Sequence, residues 1–136
     1  MQKAYFFNKE VGLFKIEDGS KIELSLSKKI SHEEIVKSFL FTPMALILYQ
    51  RKNLVLHASA SVIGSKAFLF SGISGKGKST ILLELMKRGH KMLSEDVTAI
   101  NFSKKPAIIP SFPLIKIETK SSETKEIGGI IRNIEE

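Results

Sequence analysis

Gly72-Ile73-Ser74-Gly75-Lys76-Gly77-Lys78-Ser79 fills every fixed position of the pattern G-x-x-x-x-G-K-[ST]. The apolar run Ala67-Phe68-Leu69-Phe70 precedes it and a helix-forming segment, Ile81 to Arg88, follows. Strand, loop and helix in that order are the context the pattern requires, and they point to an α/β domain. In such a loop the glycines let the backbone curl until successive N–H groups face phosphate oxygens, and the helix behind it adds the positive end of its dipole. Gly72, Ser74, Gly75, Lys76 and Gly77 are then the cradle. Lys78 meets the β- and γ-phosphates, Ser79 places its hydroxyl on Mg²⁺, and Thr80, the next helical residue, completes the set around the nucleotide. With glycine at about 7% of average sequence, a chance match is expected roughly a few times per thousand chains of this length.

Outward from the loop, Leu54 to Ile63 alternates apolar with small polar residues, and Gly64-Ser65-Lys66 reads as a turn before the strand returns into the loop. If Gly64 and Ser65 form a two-residue turn, opposed residue numbers sum to 129, and His57 falls opposite Gly72. A three-residue turn shifts the pairing to Ile73 and reverses the face that His57 uses. On the other side, Gly89 fits the position just past a helix, with Lys87, Arg88 and His90 complementing the dipole, and Ile81, Leu82, Leu85 and Met86 form the expected buried stripe. Lys91 to Asp96 reads as a short strand ending in two carboxylates, followed by a strand from Val97 to Phe102.

A phosphate loop binds. Moving the γ-phosphoryl group also requires an acid for Mg²⁺ and a residue that takes the acceptor hydroxyl's proton. Glu95 and Asp96 are the candidates. Adjacent strand residues point to opposite faces, so both serve the site only if the strand ends there. Otherwise one faces the nucleotide and its neighbour the solvent, or the two acids merely make a turn.

The remainder of the chain sets bounds. Its 136 residues, 43% apolar, suffice for a core but are short for a complete phosphotransferase with its own acceptor site. There is no cysteine, which excludes disulfides and thiolate metal sites. The longest apolar stretch, Met44 to Tyr49, is far below the roughly 20 residues of a membrane span, and no signal-peptide pattern opens the chain. A soluble, cytoplasmic protein without membrane contact is expected. The net charge of +7 comes from dispersed lysines with no basic block, and without interleaved aromatics this argues against nucleic acid as a partner. Tyr5 to Phe7, Val11 to Ile16 and Lys21 to Ser27 read as short strands with a turn at Glu17-Asp18-Gly19-Ser20. Ser31 and Glu34 have the form of a capping box, and Ile35, Phe39, Met44, Leu46 and Ile47 suggest a helical stretch interrupted near Pro43. His32 reads as an exposed helix-start residue. Ile127 to Glu136 offers only a weak helix or a frayed end.

As a linked set, Leu56-His57-Ala58-Ser59-Ala60, the loop at 72–80, Glu84-Leu85-Met86-Lys87-Arg88-Gly89-His90 and Leu93-Ser94-Glu95-Asp96-Val97 resemble the HPr kinase/phosphorylase superfamily. They resemble most closely its HPr-kinase-like members found near peptide-modification genes, including the lasso-peptide serine kinases. The resemblance covers about residues 50 to 115. It implies a mixed-sheet kinase domain related to the phosphoenolpyruvate carboxykinase nucleotide-binding fold, with ATP and Mg²⁺ used to phosphorylate a serine hydroxyl on a protein or peptide. Residues 1–50 are then a small β-rich region with a helix, 51–118 the kinase-like core and 119–136 a polar tail. Carried over by position, Lys78 and Ser79 hold phosphates and metal, and His57 orients the catalytic acid or contacts the γ-phosphate. Glu95 or Asp96 is the general base, the other assisting the metal, with Asp96 beside Ser79 as the expected metal pair. The family usually has two aspartates where this chain has Glu95 first, and its members continue well past the proline-rich segment. The chain therefore reads as a C-terminally truncated product, a fragment, or one part of an assembly completed by a homo-oligomer or a complementing chain. The rival reading is an ATP-binding module without its own turnover. A guanine-nucleotide switch is disfavoured by the lack of N-K-x-D.

Overall fold

The computed structural model describes residues 1–111, 114–118 and 124–128 of the chain. It divides into two compact units, Met1–Val55 and Leu56–Glu136.

The first unit is a three-stranded antiparallel meander, β1 (Lys3–Asn8), β2 (Gly12–Glu17) and β3 (Lys21–Leu26), followed by α1 (His32–Phe39) and α2 (Thr42–Gln50). The alternation in β2 turns Phe14 and Ile16 inward, where they join Val11 and Ile47 in a buried cluster flanked by Phe6, Ile22, Leu24 and Phe39. The rings of Phe6 and Phe14 lie 6.1 Å apart at 34°. Ser31 caps α1 with the reciprocal bonds of a capping box to Glu34. The interruption near Pro43 is resolved as two helices, Pro43 standing in the first turn of α2 where its missing N–H has no helical partner to lose. Gln50 and Arg51 then fix the β2–β3 turn by accepting from the N–H of Gly19 at 2.6 Å and donating to its C=O at 2.5 Å.

The second unit carries a five-stranded sheet. β4 (Leu54–Ile63) and β5 (Lys66–Ser71) form an antiparallel hairpin, and α3 (Lys78–Lys87) follows. Next come β6 (Lys91–Ser94), β7 (Val97–Asn101) and β8 (Ala107–Ile109), in the sheet order β5-β4-β7-β8 with β6 pairing β4. The β4–β5 register runs from Ala58↔Ser71 to Ile63↔Lys66. Each pair sums to 129, which is the two-residue turn at Gly64-Ser65 and puts His57 at the loop end of β4. On α3, Leu82 is fully buried and packs with Met92 and Met86. Ile81, expected on the same stripe, is 46% exposed. β9 (Leu114–Glu118) and β10 (Thr124–Gly128) pair antiparallel, so the segment read as the start of a polar tail holds a strand. The remainder of the expected weak helix or frayed end, 129–136, lies outside the described residues. Architecture and sequence agree on an α/β domain. No described helix is long and apolar enough to cross a membrane.

Candidate functional site

The sequence between β5 and α3 builds its loop with two glycines in the left-handed region, Gly75 at φ 77° and Gly77 at φ 85°. A side chain at either position would be strained by the backbone alone, although space is open around both. Gly77 is also the N-cap of α3 and, having no side chain, leaves the first N–H groups of the helix without a side-chain acceptor. That is the arrangement in which a helix terminus accepts an anion. Lys78, in the first turn, folds back so that its Nζ donates to the carbonyls of Gly72 at 2.9 Å and Ile73 at 3.2 Å. Both bonds are to neutral acceptors of the same loop, so the ammonium charge itself is not cancelled there.

One residue further, the Ser79 hydroxyl donates to Oε1 of Glu95 at 2.5 Å. Asp96 faces elsewhere. Its Oδ1 lies 2.9 Å from Nδ1 of His57, and its backbone oxygen lies 3.1 Å from the same nitrogen. Both partners of Nδ1 are acceptors, so the proton sits on Nδ1 and the outer ring nitrogen is left for a ligand or solvent.

Adjacent carboxylates reach different partners because the strand ends. β6 stops at Ser94, β7 starts at Val97, and the N–H of Val97 donates to the carbonyl of Glu95 at 2.7 Å across an Asp96 held at φ 66°. A three-residue turn with a left-handed, non-glycine centre is sparsely populated backbone, of the kind that persists only where its surroundings fix it.

These elements enclose a cavity of about 400 Å³ lined by His57, Ser74, Gly75, Gly77, Lys78, Ser79, Thr80, Leu83, Glu95 and Asp96. Its volume falls in the range of small-molecule sites. The sequence-derived residues Gly72 and Lys76 are outside that lining. Gly72 contributes its carbonyl to Lys78, and Lys76 is exposed. Leu83 is the lining residue that sequence reasoning missed. Its only signal was being one position off the apolar stripe. Also missed were two buried hydroxyls beneath the turn, Ser94 and Thr98.

The cavity's donor set suits a phosphate chain with Mg²⁺. Its lining brings one ammonium, uncapped helix N–H groups, the hydroxyl residues Ser74, Ser79 and Thr80, an imidazole and two carboxylates. No group of three or more His, Cys, Asp or Glu that could hold a metal by itself occurs among the described residues. Mg²⁺ does not need one, since it keeps several waters and commonly takes one or two protein oxygens beside the phosphates.

Over 79 residues the chain is 38% identical to the HPr kinase/phosphorylase of Xylella fastidiosa strain M12, and equally so to the proteins of that name from strains Temecula1 and 9a5c. The aligned stretch is 58% of this chain and 24% of each relative, so the chain spans about a quarter of the length of those relatives. No family model matches, and no solved structure matches. The likeness is to HPr kinase/phosphorylase sequence over that stretch alone.

Proposed function

We propose that the chain carries the nucleotide site and the phosphoryl-transfer residues of an ATP-dependent, HPr-kinase-like serine kinase. Residues 51–118 are its core, and its acceptor is a serine hydroxyl of a protein or of a peptide such as the lasso-peptide serine kinases modify. The observation that carries this reading is the split of the carboxylate pair. Ser79 with Glu95 and His57 with Asp96 form two separate dyads on the wall of one cavity that also holds Lys78.

Lys78 and the first N–H groups of α3 bind and orient the phosphate chain. Ser79 and Glu95 hold Mg²⁺, so the metal-assisting acid is Glu95 rather than Asp96. When bound, Mg²⁺-ATP supplies the γ-phosphoryl group and the charge neutralisation that its transfer needs. Asp96 takes the proton of the acceptor hydroxyl on a carboxylate oxygen, and His57 holds that carboxylate through Nδ1–H. Leu83 gives the cavity an apolar wall that limits water. The chemistry rests on positioning and charge stabilisation, with no covalent intermediate on the protein.

The test is calorimetry with Mg²⁺-ATP, followed by label transfer from γ-labelled ATP to a panel of serine peptides and carrier proteins. Binding with transfer that Asp96→Asn and Glu95→Gln both abolish is the expected result. Binding without any labelled acceptor, with or without a complementing chain, would favour the second reading. That reading is a nucleotide-binding module without turnover of its own, for which Lys78 and the uncapped start of α3 suffice.

A further inference from the structure

Beneath the Glu95–Asp96 turn lies a chain of buried hydroxyls whose direction is fixed by chemistry. The Thr98 hydroxyl donates to the carbonyl of Ala58 at 2.7 Å, and Ser94 Oγ lies 2.6 Å from Thr98 Oγ1. A carbonyl cannot donate, so the Thr98 proton is committed to Ala58 and the proton between the two hydroxyls must come from Ser94. The relay runs Ser94 to Thr98 to Ala58, and all three residues are fully buried. Linked bonds of this kind polarise one another in a dry interior.

The ends of the relay matter. Ser94 is the last residue of β6, and Thr98 is the second of β7, so the pair closes the neck of the turn that presents Glu95 and Asp96. Ala58 follows His57 on β4, and its N–H donates back to the carbonyl of Asp96 at 3.3 Å. The backbone of Ala58 is therefore held at both its N–H, by the turn, and its C=O, by Thr98.

We infer that Thr98, supported by Ser94, is a positioning residue. Its hydroxyl fastens the left-handed Glu95–Asp96 turn to the strand that carries His57, and so sets which carboxylate faces Ser79 and which faces His57. The inference rests on the reading of those acids as site residues, and it adds a device that neither the loop pattern nor the carboxylate pair contains. Without the hydroxyl the Ala58 carbonyl is buried with no side-chain donor. The turn then loses the contact that holds its unfavourable backbone, and the Nδ1–H to Asp96 bond loosens.

The experiment reads the His57 imidazole nitrogens by NMR in the nucleotide-free protein, where only three histidines need assigning. Thr98→Val, which keeps the shape and removes the donor, is expected to move the His57 nitrogen signals away from the wild-type Nδ1–H pattern. Thr98→Ser, which keeps the donor, restores them. Ser61→Ala is the control. It deletes another fully buried hydroxyl between β4 and β6, one that donates to the Lys91 carbonyl at 3.0 Å, away from the turn, and His57 should not respond. Where ATP turnover is measurable, Thr98→Val lowers kcat by about tenfold with KM within about threefold, the signature of lost orientation rather than lost binding. Should Thr98→Val fail to fold, Ser94→Ala, which leaves the Thr98–Ala58 bond but removes the hydroxyl that donates to Thr98, gives a smaller shift of the same signals.

Superimposable His57 spectra in wild type and the variant that folds would overturn the inference. So would a His57 shift equally produced by Ser61→Ala, or one that Thr98→Ser fails to reverse. Mg²⁺-ATP calorimetry on the same samples separates the two levels: a wild type that does not bind removes the nucleotide reading, while the imidazole signals still decide the clamp.

Discussion

The two units bury different chemistry. In Met1–Val55 the core is made of large apolar side chains, Val11, Phe14, Ile16 and Ile47, packed between a meander and its helices. In Leu56–Glu136 the fully buried residues of β4, β6 and β7 are small or hydroxylic, Ala58, Ser59, Ala60, Ser61, Ser94 and Thr98, and among the described residues the apolar cluster holds Leu82 with Met92 and Met86. Large apolar groups contribute stability in proportion to the area they remove from water. Small residues contribute little of that, but they let strands approach and let hydroxyls bond backbone carbonyls between strands. The first unit's interior is thus built for stability and the second's for aiming side chains, and substitutions in the two should have opposite signatures.

The largest separation is expected at Asp96. A general base contributes roughly 10²- to 10⁴-fold to rate, so Asp96→Asn should lower phosphoryl transfer by about that factor. The thermal midpoint should stay near wild type and Mg²⁺-ATP affinity within about tenfold, because the group acts mostly in the transition state. Single-turnover transfer beside a melting curve measures both. An Asp96→Asn protein that melts far earlier than wild type would mean the carboxylate belongs to the fold.

The mirror case is Phe14, 1% exposed in the first unit. Phe14→Ala should cost about 3–5 kcal/mol of that unit's stability, read by denaturant titration. Nucleotide affinity measured under folding conditions should hardly change. A matching loss of affinity would show that the two interiors cannot be treated separately.

Lys78→Ala comes next. Removing a charged donor from a phosphate costs about 1.5–3 kcal/mol, which is about ten- to a hundredfold in Mg²⁺-ATP affinity by calorimetry, with stability nearly unchanged since the ammonium bonds only its own loop. Equal affinities would remove the phosphate-loop assignment.

How much of this was legible beforehand follows from where the information lies. The loop glycines, the Ser31 capping box and the 129-sum register at Gly64-Ser65 are local rules written in consecutive residues, and the structure carries them. The placement of His57 beside the loop followed by counting alone. The separate partners of Glu95 and Asp96 were not legible, because a left-handed aspartate has no composition signal and its carbonyl is held by the N–H of Ala58, distant in sequence. β10 escaped for a similar reason. Thr-Lys-Glu-Ile-Gly has weak strand preference by itself, and its pairing with β9 decides.

A smaller effect sharpens the contrast within the second unit. Ser59 Oγ is fully buried with no hydrogen-bond partner among the described residues. An orphaned hydroxyl is a cost, so Ser59→Ala should raise stability by up to about 1 kcal/mol and leave Mg²⁺-ATP binding as it was. A destabilised Ser59→Ala would mean that this hydroxyl, too, belongs to a bonded network.

The smallest expected effect lies outside both interiors, on the charged end of the meander. Lys15 bridges Glu17 at 3.0 Å and Glu23 at 2.9 Å, Lys21 meets Glu23 at 2.5 Å, and Lys3 reaches Glu17 at 3.4 Å. Bonds from Lys21 and Lys15 hold the Glu23 carboxyl down to about 2, and Lys15 chiefly lowers Glu17. The same pairs raise Lys15 and Lys21. Carboxyls lowered in the folded state bind fewer protons there than in the unfolded chain. Their contribution is therefore complete above the unfolded value of about 4.3 and is lost as pH falls below it, for Glu23 toward about 2. For the raised lysines the contribution is complete below about 10.4 and is lost as pH rises beyond it. Melting curves of wild type and Glu23→Gln should differ by at most a few degrees at neutral pH, since exposed pairs are weak. The difference should narrow below about pH 4.3, close near pH 2, and shrink in high salt. A gap that stayed constant from neutral pH down to pH 2 would mean that Glu23 acts through packing, and the first unit's stability would then extend beyond the apolar cluster to which the comparison assigns it.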